Sequence, residues 1–265
     1  MQRIFLKPDD FDINNIEFSE VKINKEYKAK MVYVNYIKND IKHWITLQTP
    51  MMNIPYGLSI YPKENGGNKY VVSLSFGNIE NNQMYEAFSK LDKLVFDTAK
   101  SQSVAWFGIP QKKATDDKIE DKISKLVTYS KNKETGEPNT KYPPTFKVNI
   151  PVKNGELDCL FFNTKKEKID VKPEDLENLI SKGSKAKAII EASVMWIGTK
   201  TSLTWKIVQM MVEEKTSLKE YAFNDSDDED SAINESATKK EDEDDDDDDD
   251  DAVVEDSDVD EAETA

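Results

Sequence analysis

Eight consecutive aspartates, Asp244 to Asp251, constrain this chain more than any other feature. From Asn224 to Ala265 there are 23 acidic residues against two lysines, Lys239 and Lys240, a formal charge of −21. Adjacent like charges repel, and almost no large apolar side chain is present to offset chain entropy, so this stretch is expected to stay disordered. The whole chain carries −16, which leaves residues 1–223 at +5. The pI of about 4.6 is therefore a property of the tail, and the two parts have opposite signs. The expected organisation is a folded, mildly basic body, 1–223, followed by an acidic tail, 224–265.

Within the body, hydrophobic periodicity predicts mostly strands. Tyr27, Ala29, Met31 and Tyr33 alternate with Lys28, Lys30, Val32 and Val34, the period-2 pattern of a half-buried strand. Lys38-Asn39-Asp40 supplies a turn, and His43, Ile45 and Leu47 form the apolar side of the next strand. Glu64 to Asn68 is a turn before Tyr70, Val72, Leu74 and Phe76. Met84, Phe88, Leu91 and Val95 then recur at helical spacing, predicting a helix from about Asn82 to Lys100 capped by Asn81 or Asn82. A second helix is expected from Thr115 to Tyr129, with Asp116 and Asp117 in its first turn and Ile119, Ile123 and Leu126 as its apolar stripe. Ser130 to Lys141 reads as an exposed loop.

Strands resume at Phe146 to Ile150 and Leu157 to Phe162 around a Lys153-Asn154-Gly155 turn. Pro173 to Ile180 reads as a short helix. A long hairpin, Lys187 to Ile197 with Leu203 to Val212, closes the body. With Lys200-Thr201 as a two-residue turn, Trp196 faces Trp205, Val194 faces Ile207 and Ile190 faces Met211, an apolar face that favours a core position for both tryptophans. The fold class is α+β, mainly β. The element order fits an OB-like barrel with inserted helices, in which the helix commonly lies between the third and fourth strands.

The residue inventory argues against catalysis. With one cysteine, Cys159, and one histidine, His43, neither an internal disulfide nor a Cys/His zinc site can be assembled. His43 lies on the apolar side of its strand and reads as a packed residue. There is no Walker loop, GxGxxG or GxSxG. The aspartate run lacks the central glycine and ligand spacing of an EF-hand, so it reads as a counter-ion cloud. No metal or other cofactor is implied. MQRIFLKPDDFD does not read as a signal peptide, and no segment has the ~18 apolar residues of a membrane span.

What the body does offer is lysine and aromatic residues. Lys118, Lys122 and Lys125 fall at i, i+4 and i+7 of the expected second helix, led by Lys112 and Lys113 and followed by Lys131, Lys133 and Lys141. They form either a track for phosphates or an ordinary solvated face. The hairpin adds five lysines between Ser181 and Val212, among them Lys200 and Lys206, against one acid, Glu191. Trp44 alternates with Lys42, Thr46 and Gln48 on the polar side of its strand. Such an exposed ring suits a stacked nucleobase, unless a neighbouring helix covers it.

Tyr142-Pro143-Pro144-Thr145-Phe146-Lys147-Val148, Ile180-Ser181-Lys182-Gly183, Ile189-Ile190, Trp196 and Trp205-Lys206-Ile207-Val208-Gln209 follow one another in order. Over roughly Trp106 to Val212 this resembles the single-stranded DNA-binding proteins of the nucleocytoplasmic large DNA viruses. The resemblance implies an OB-like fold that binds single strands without strong sequence preference. The candidate DNA-binding set is then Lys42, Trp44, Lys112, Lys113, Lys118, Lys122, Lys125, Lys141, Tyr142, Lys200 and Lys206. Expected partners are single-stranded DNA and, through the tail, replication or repair proteins. No membrane association is expected, and the expected location is a cytoplasmic viral replication site or the host nucleus. Three rival readings are an acidic chaperone for histones or other basic proteins, a metal-dependent nuclease and a viral structural protein. Ser226 and Ser257, each followed by acids, are candidate phosphorylation sites.

Overall fold

The structure is a computed structural model and describes residues 2–213 apart from 26, 27, 64, 65, 133 and 134. The acidic tail with Ser226 and Ser257, the 214–223 segment before it, and Tyr27, Glu64, Asn65 and Lys133 lie outside the described residues.

In chain order the strands are β1 (Gln2–Leu6), β2 (Ile16–Phe18), β3 (Lys22–Ile23), β4 (Lys30–Lys38), β5 (Ile41–Gln48), β6 (Met52–Asn53), β7 (Leu58–Pro62), β8 (Asn68–Ser75), β9 (Thr145–Ile150), β10 (Val152–Lys153), β11 (Glu156–Leu157), β12 (Leu160–Phe162), β13 (Lys168–Ile169), β14 (Lys185–Ala192), β15 (Val194–Ile197), β16 (Ser202–Leu203) and β17 (Lys206–Glu213). The α-helices are α1 (Gln83–Ser101), α2 (Ser103–Phe107), α3 (Asp116–Glu120) and α4 (Leu176–Leu179).

Strand pairing closes a five-membered ring, β6–β8–β9–β17–β14 and back to β6. All its pairs are antiparallel except β9 with β17. Taken in chain order, the ring joins first to second, second to third, third to fifth, fifth to fourth and fourth to first, which is an OB-like barrel. β5 extends the first ring strand along β14 beyond a bend at Thr49 and Pro50. Thr49 stitches that bend to β14: its N–H donates to the Ala188 carbonyl at 2.8 Å, and its Oγ1 accepts from the Ala188 N–H at 2.9 Å. Outside the ring, β4 and β1 lie on opposite edges of β5, and β1 runs parallel to it.

The barrel is filled by alternate residues of each strand, as period 2 requires. Ile45, Leu47, Val72, Leu74, Phe146, Val148, Ile190 and Ile207 are buried. In β4 the buried set is Val32, Val34 and Tyr36, whereas Met31 and Tyr33 are only half-buried on the other side. α1 starts where Asn82 Oδ1 accepts from the Tyr85 N–H at 3.0 Å, and it buries Met84, Phe88, Leu91 and Val95. Phe88 stacks on Trp205 with ring centroids 5.2 Å apart and meets Phe146 at 4.7 Å. Such pairs contribute about 0.5–1.5 kcal/mol each beyond burial.

Four sequence expectations are corrected. α1 lies between the second and third ring strands; between the third and fourth lie β10 to β13 and, as helical structure, the short Pro173–Asp175 turn and α4. The second helix stops at Glu120 rather than Tyr129. Beyond it, the Asp92 carboxylate accepts from the Leu126 and Val127 N–H groups at 2.7 and 3.0 Å, and Thr128 pairs with Thr145. These tertiary partners satisfy the backbone, so the segment runs irregularly through a turn, bends and single bridges instead of continuing the helix. Third, Leu157 to Phe162 is broken: β11 pairs with β10 around the predicted turn, and β12 joins β17.

Fourth, the long hairpin has a different register. Trp196 pairs with Ser202, Met195 with Leu203, and Ile190 with Ile207. A kink at Ser193 sends β14 along β17 and β15 along β4, so Trp196 and Trp205 do not face each other. Trp205 is a core residue, whereas Trp196 is half-buried.

Candidate nucleic-acid interface

The barrel strands bury one set of side chains; on β1, β4, β5, β14, β17 and β12 the alternate set makes an outer face, of which Thr46, Asn35 and Glu191 are themselves buried, whereas β8 is buried on both sides. Register places these outward residues in rows, because directly opposite residues share a face. One row runs Phe5, Thr46, Glu191, Lys206 and Asn149 across β1, β5, β14, β17 and β9. Arg3, Trp44 and Asn35 lie beside it. The following rows are Gln48, Ile189, Gln209 and Leu160, then Lys187, Met211 and Phe162. The face thus mixes cations with rings and amides. Phe5 is its most exposed apolar residue, at 64%.

Its electrostatic centre is Glu191, which is fully buried. Glu191 Oε2 accepts from Arg3 Nε at 2.5 Å and from Thr46 Oγ1 at 3.4 Å, and Lys206 Nζ lies 3.5 Å from Oε1. The Arg3 guanidinium carbon also sits 5.7 Å from the centroid of the Trp44 ring. A planar guanidinium can make an ion pair and lie over a ring together, which a lysine ammonium does less well. Arg3 is the single arginine among 36 basic residues.

The sequence-predicted residues fall into three places. Lys42, Trp44 and Lys206 lie on the outer face. Lys42 is bridged to Glu17, and Trp44 is half-buried beneath Arg3 rather than beneath a helix. Lys112, Lys113, Lys118, Lys122 and Lys125 lie in and around α3. The helical stripe expected of Lys118, Lys122 and Lys125 does not exist, because α3 ends at Glu120; Lys125 instead bridges Glu120. The Lys122 carbonyl accepts from the Thr201 N–H at 2.7 Å, which brings Lys200 to this group. Lys141 and Tyr142 form the third place, both exposed, with Lys141 Nζ 5.5 Å from the Tyr142 ring centroid.

Arg3, Phe5 and Phe162 share this face but were not singled out from the sequence, and Lys187 was counted only among the five lysines of the hairpin. Arg3 and Phe5 alternate with Ile4 and Leu6, a short period-2 signal that could have placed them opposite the core. No local signal marks Phe162, whose orientation follows from the pairing of β12 with β17.

The Cys159 thiol is pushed up to about 12, by burial first and then by the neighbouring Asp158 carboxylate. His43 is half-buried, and its Nδ1 has no hydrogen-bond partner among the described residues. Among the described residues no three His, Cys, Asp or Glu side chains gather as metal ligands, and no helix is long and apolar enough to cross a membrane.

Fold and face together define an OB-like barrel with a cationic, partly aromatic outer surface. Solved structures similar to this chain include three of two phage proteins. The single-stranded DNA-binding protein from bacteriophage Enc34 in complex with ssDNA is 10% identical, with 76% of this chain and 91% of that chain covered and a TM-score of 0.38. Its C-terminal truncation is 8% identical, with 77% and 98% covered and a TM-score of 0.39. The single-stranded DNA-binding protein gp2.5 of bacteriophage T7 is 14% identical, with 72% and 100% covered and a TM-score of 0.39. No family model and no curated protein matches the chain. At such scores the likenesses carry no argument about function, which rests on the residues of the face.

Proposed function

We propose that this chain binds single-stranded DNA, coating and protecting it during viral replication, recombination or repair, and that it is not an enzyme. The observation that carries this reading is the outer face, where Trp44, Phe5 and Phe162 stand among Arg3, Lys42, Lys187 and Lys206. Cations track phosphates, and rings stack on bases whatever their sequence. Unpaired strands offer base faces that duplex has already stacked. A titration against single- and double-stranded DNA of equal length tests the reading. Tighter binding of the single strand, with quenching of tryptophan fluorescence, is expected; equal affinity at the same salt overturns it.

The −21 of residues 224–265 adds a competitor tethered to a body of +5. Linkers of this kind give effective concentrations on the order of millimolar. The tail occupies the cationic face when DNA is absent, and once displaced it recruits replication or repair proteins. Cutting the chain after Phe223 is expected to tighten single-strand binding, most strongly at low salt where screening is least. If the cut protein binds no better than the intact one at low salt, autoinhibition is wrong.

A further inference from the structure

We propose that the hollow between β14, β17 and β12 is a pocket for one unstacked nucleobase, so that this chain discriminates between bases at one position of the strand it holds. This deepens the single-strand reading and rests on it. The hollow has a volume of about 360 Å³, within the ~300–1,000 Å³ of small-molecule sites. Its apolar lining is Ala188, Ile189, Met211 and Phe162. Gln48 and Gln209 flank Ile189 from the two neighbouring strands, in one cross-strand row. Lys187 and Lys166 complete the lining.

Each residue type has a use toward a base. The apolar lining, with the Phe162 ring, takes the faces of a heterocycle, which carries no charge to desolvate. A glutamine amide presents both a donor pair and an acceptor, so two of them can read the edge of a base. Among the described residues, neither the Gln48 nor the Gln209 side chain has a hydrogen-bond partner, although both are half-buried. Lys187 and Lys166 likewise enter no ion pair among the described residues, so both ammonium groups are free for the flanking phosphates. A larger hollow of about 560 Å³ shares Gln48 and Lys187 with this one and gives the strand a continuation.

Oligo-dT and oligo-dC of equal length separate the pocket from generic stacking, because the two bases differ chiefly at the edge an amide reads. The intact protein and the protein cut after Phe223 are titrated with both. The ratio of affinities is expected to depart from one by roughly threefold to tenfold, the effect of one or two neutral hydrogen bonds. A Gln48→Leu, Gln209→Leu double variant is expected to bring the ratio to about one with the salt slope unchanged. Equal affinities for the two oligomers, or an unchanged ratio in the double variant, overturns the pocket while leaving single-strand binding in place. Failure of both oligomers to bind either protein overturns the parent reading and the pocket with it. Photocrosslinking of unmodified protein to 5-iodouracil-containing DNA decides the matter without substitutions. A cross-link at Phe162 or Met211 supports the pocket, and cross-links elsewhere only overturn it.

Discussion

Arg3 and Glu191 stand 188 residues apart in sequence, yet Arg3 Nε lies 2.5 Å from Glu191 Oε2. The carboxylate is fully buried, while the arginine side chain is 47% exposed. A buried charge persists only when paired, so this contact ties edge strand β1 to the centre of the barrel wall. It also holds the guanidinium over Trp44, where it takes up one side of a ring proposed to stack on bases.

That arrangement makes Glu191 a brake on the proposed interface. Glu191→Gln keeps the shape and removes the charge that neutralises Arg3 and Lys206. Single-strand affinity is expected to rise, with the log–log salt slope steeper by up to about 1.4 if both cations reach phosphates, at ~0.7 each. Thermal stability is expected to fall by about 1 kcal/mol, since the pair is open to solvent on the arginine side. Weaker binding in the variant would show instead that Glu191 positions the two cations for DNA.

The lysines around α3 make a separate case. Replacing Lys118, Lys122 and Lys125 with alanine is expected to weaken binding to all sequences alike. The salt slope is expected to fall by at most about 2, at ~0.7 for each phosphate no longer neutralised. Lys125 already has an acid partner in Glu120, so its share is the smallest. An unchanged slope across roughly 50–200 mM salt, a range set by the usual sensitivity of such binding, would mean that these lysines form only a solvated face.

Asp92 holds the irregular segment after α3 in place. Asp92→Ala strips the Leu126 and Val127 N–H groups of their acceptor and is expected to destabilise the fold by about 2–4 kcal/mol in chemical denaturation. Asp92→Asn keeps one acceptor and is expected to cost about half as much. Burial, its largest perturbation, raises the Asp92 pKa above the ordinary 3.8 despite those two hydrogen bonds and nearby Lys125. The folded state therefore binds this proton more tightly than the unfolded chain. Its contribution to stability is greatest below pH 3.8 and declines as pH rises through the folded value. The asparagine variant is expected to lack that part of the pH profile; an unchanged profile would contradict the assignment.

Cys159, with its thiol pushed up to about 12, carries almost no thiolate at neutral pH. Alkylation by iodoacetamide is expected to be slow in the folded protein and to reach the rate of a free thiol only in denaturant. Rapid labelling of the native protein at pH 7 would show that the thiol is not held as described.

The amino-acid sequence by itself determined the features that depend on neighbours along the chain. Alternation placed Ile45 and Leu47, and Val72 and Leu74, inside the barrel. The 3.6-residue spacing of Met84, Phe88, Leu91 and Val95, with Asn82 before it, set α1 and its cap. The count of aspartates and glutamates divided the charge between residues 1–223 and 224–265. Only the tertiary structure decided the rest. The Ile119, Ile123 and Leu126 spacing is helical, but Asp92 and Thr145 offer the backbone after Glu120 partners from outside the segment. Lys200-Thr201 looked like a tight turn, but the kink at Ser193 and pairing of β15 with β4 reset the register and parted Trp196 from Trp205. The outer face assembles side chains from β1, β5, β14, β17 and β12, of which β5 and β14, and β12 and β17, pair across dozens of residues or more. Periodicity reports which side of a strand is apolar; it carries no information on which strand lies alongside, because pairing depends on a barrel that closes only once the whole chain is in place.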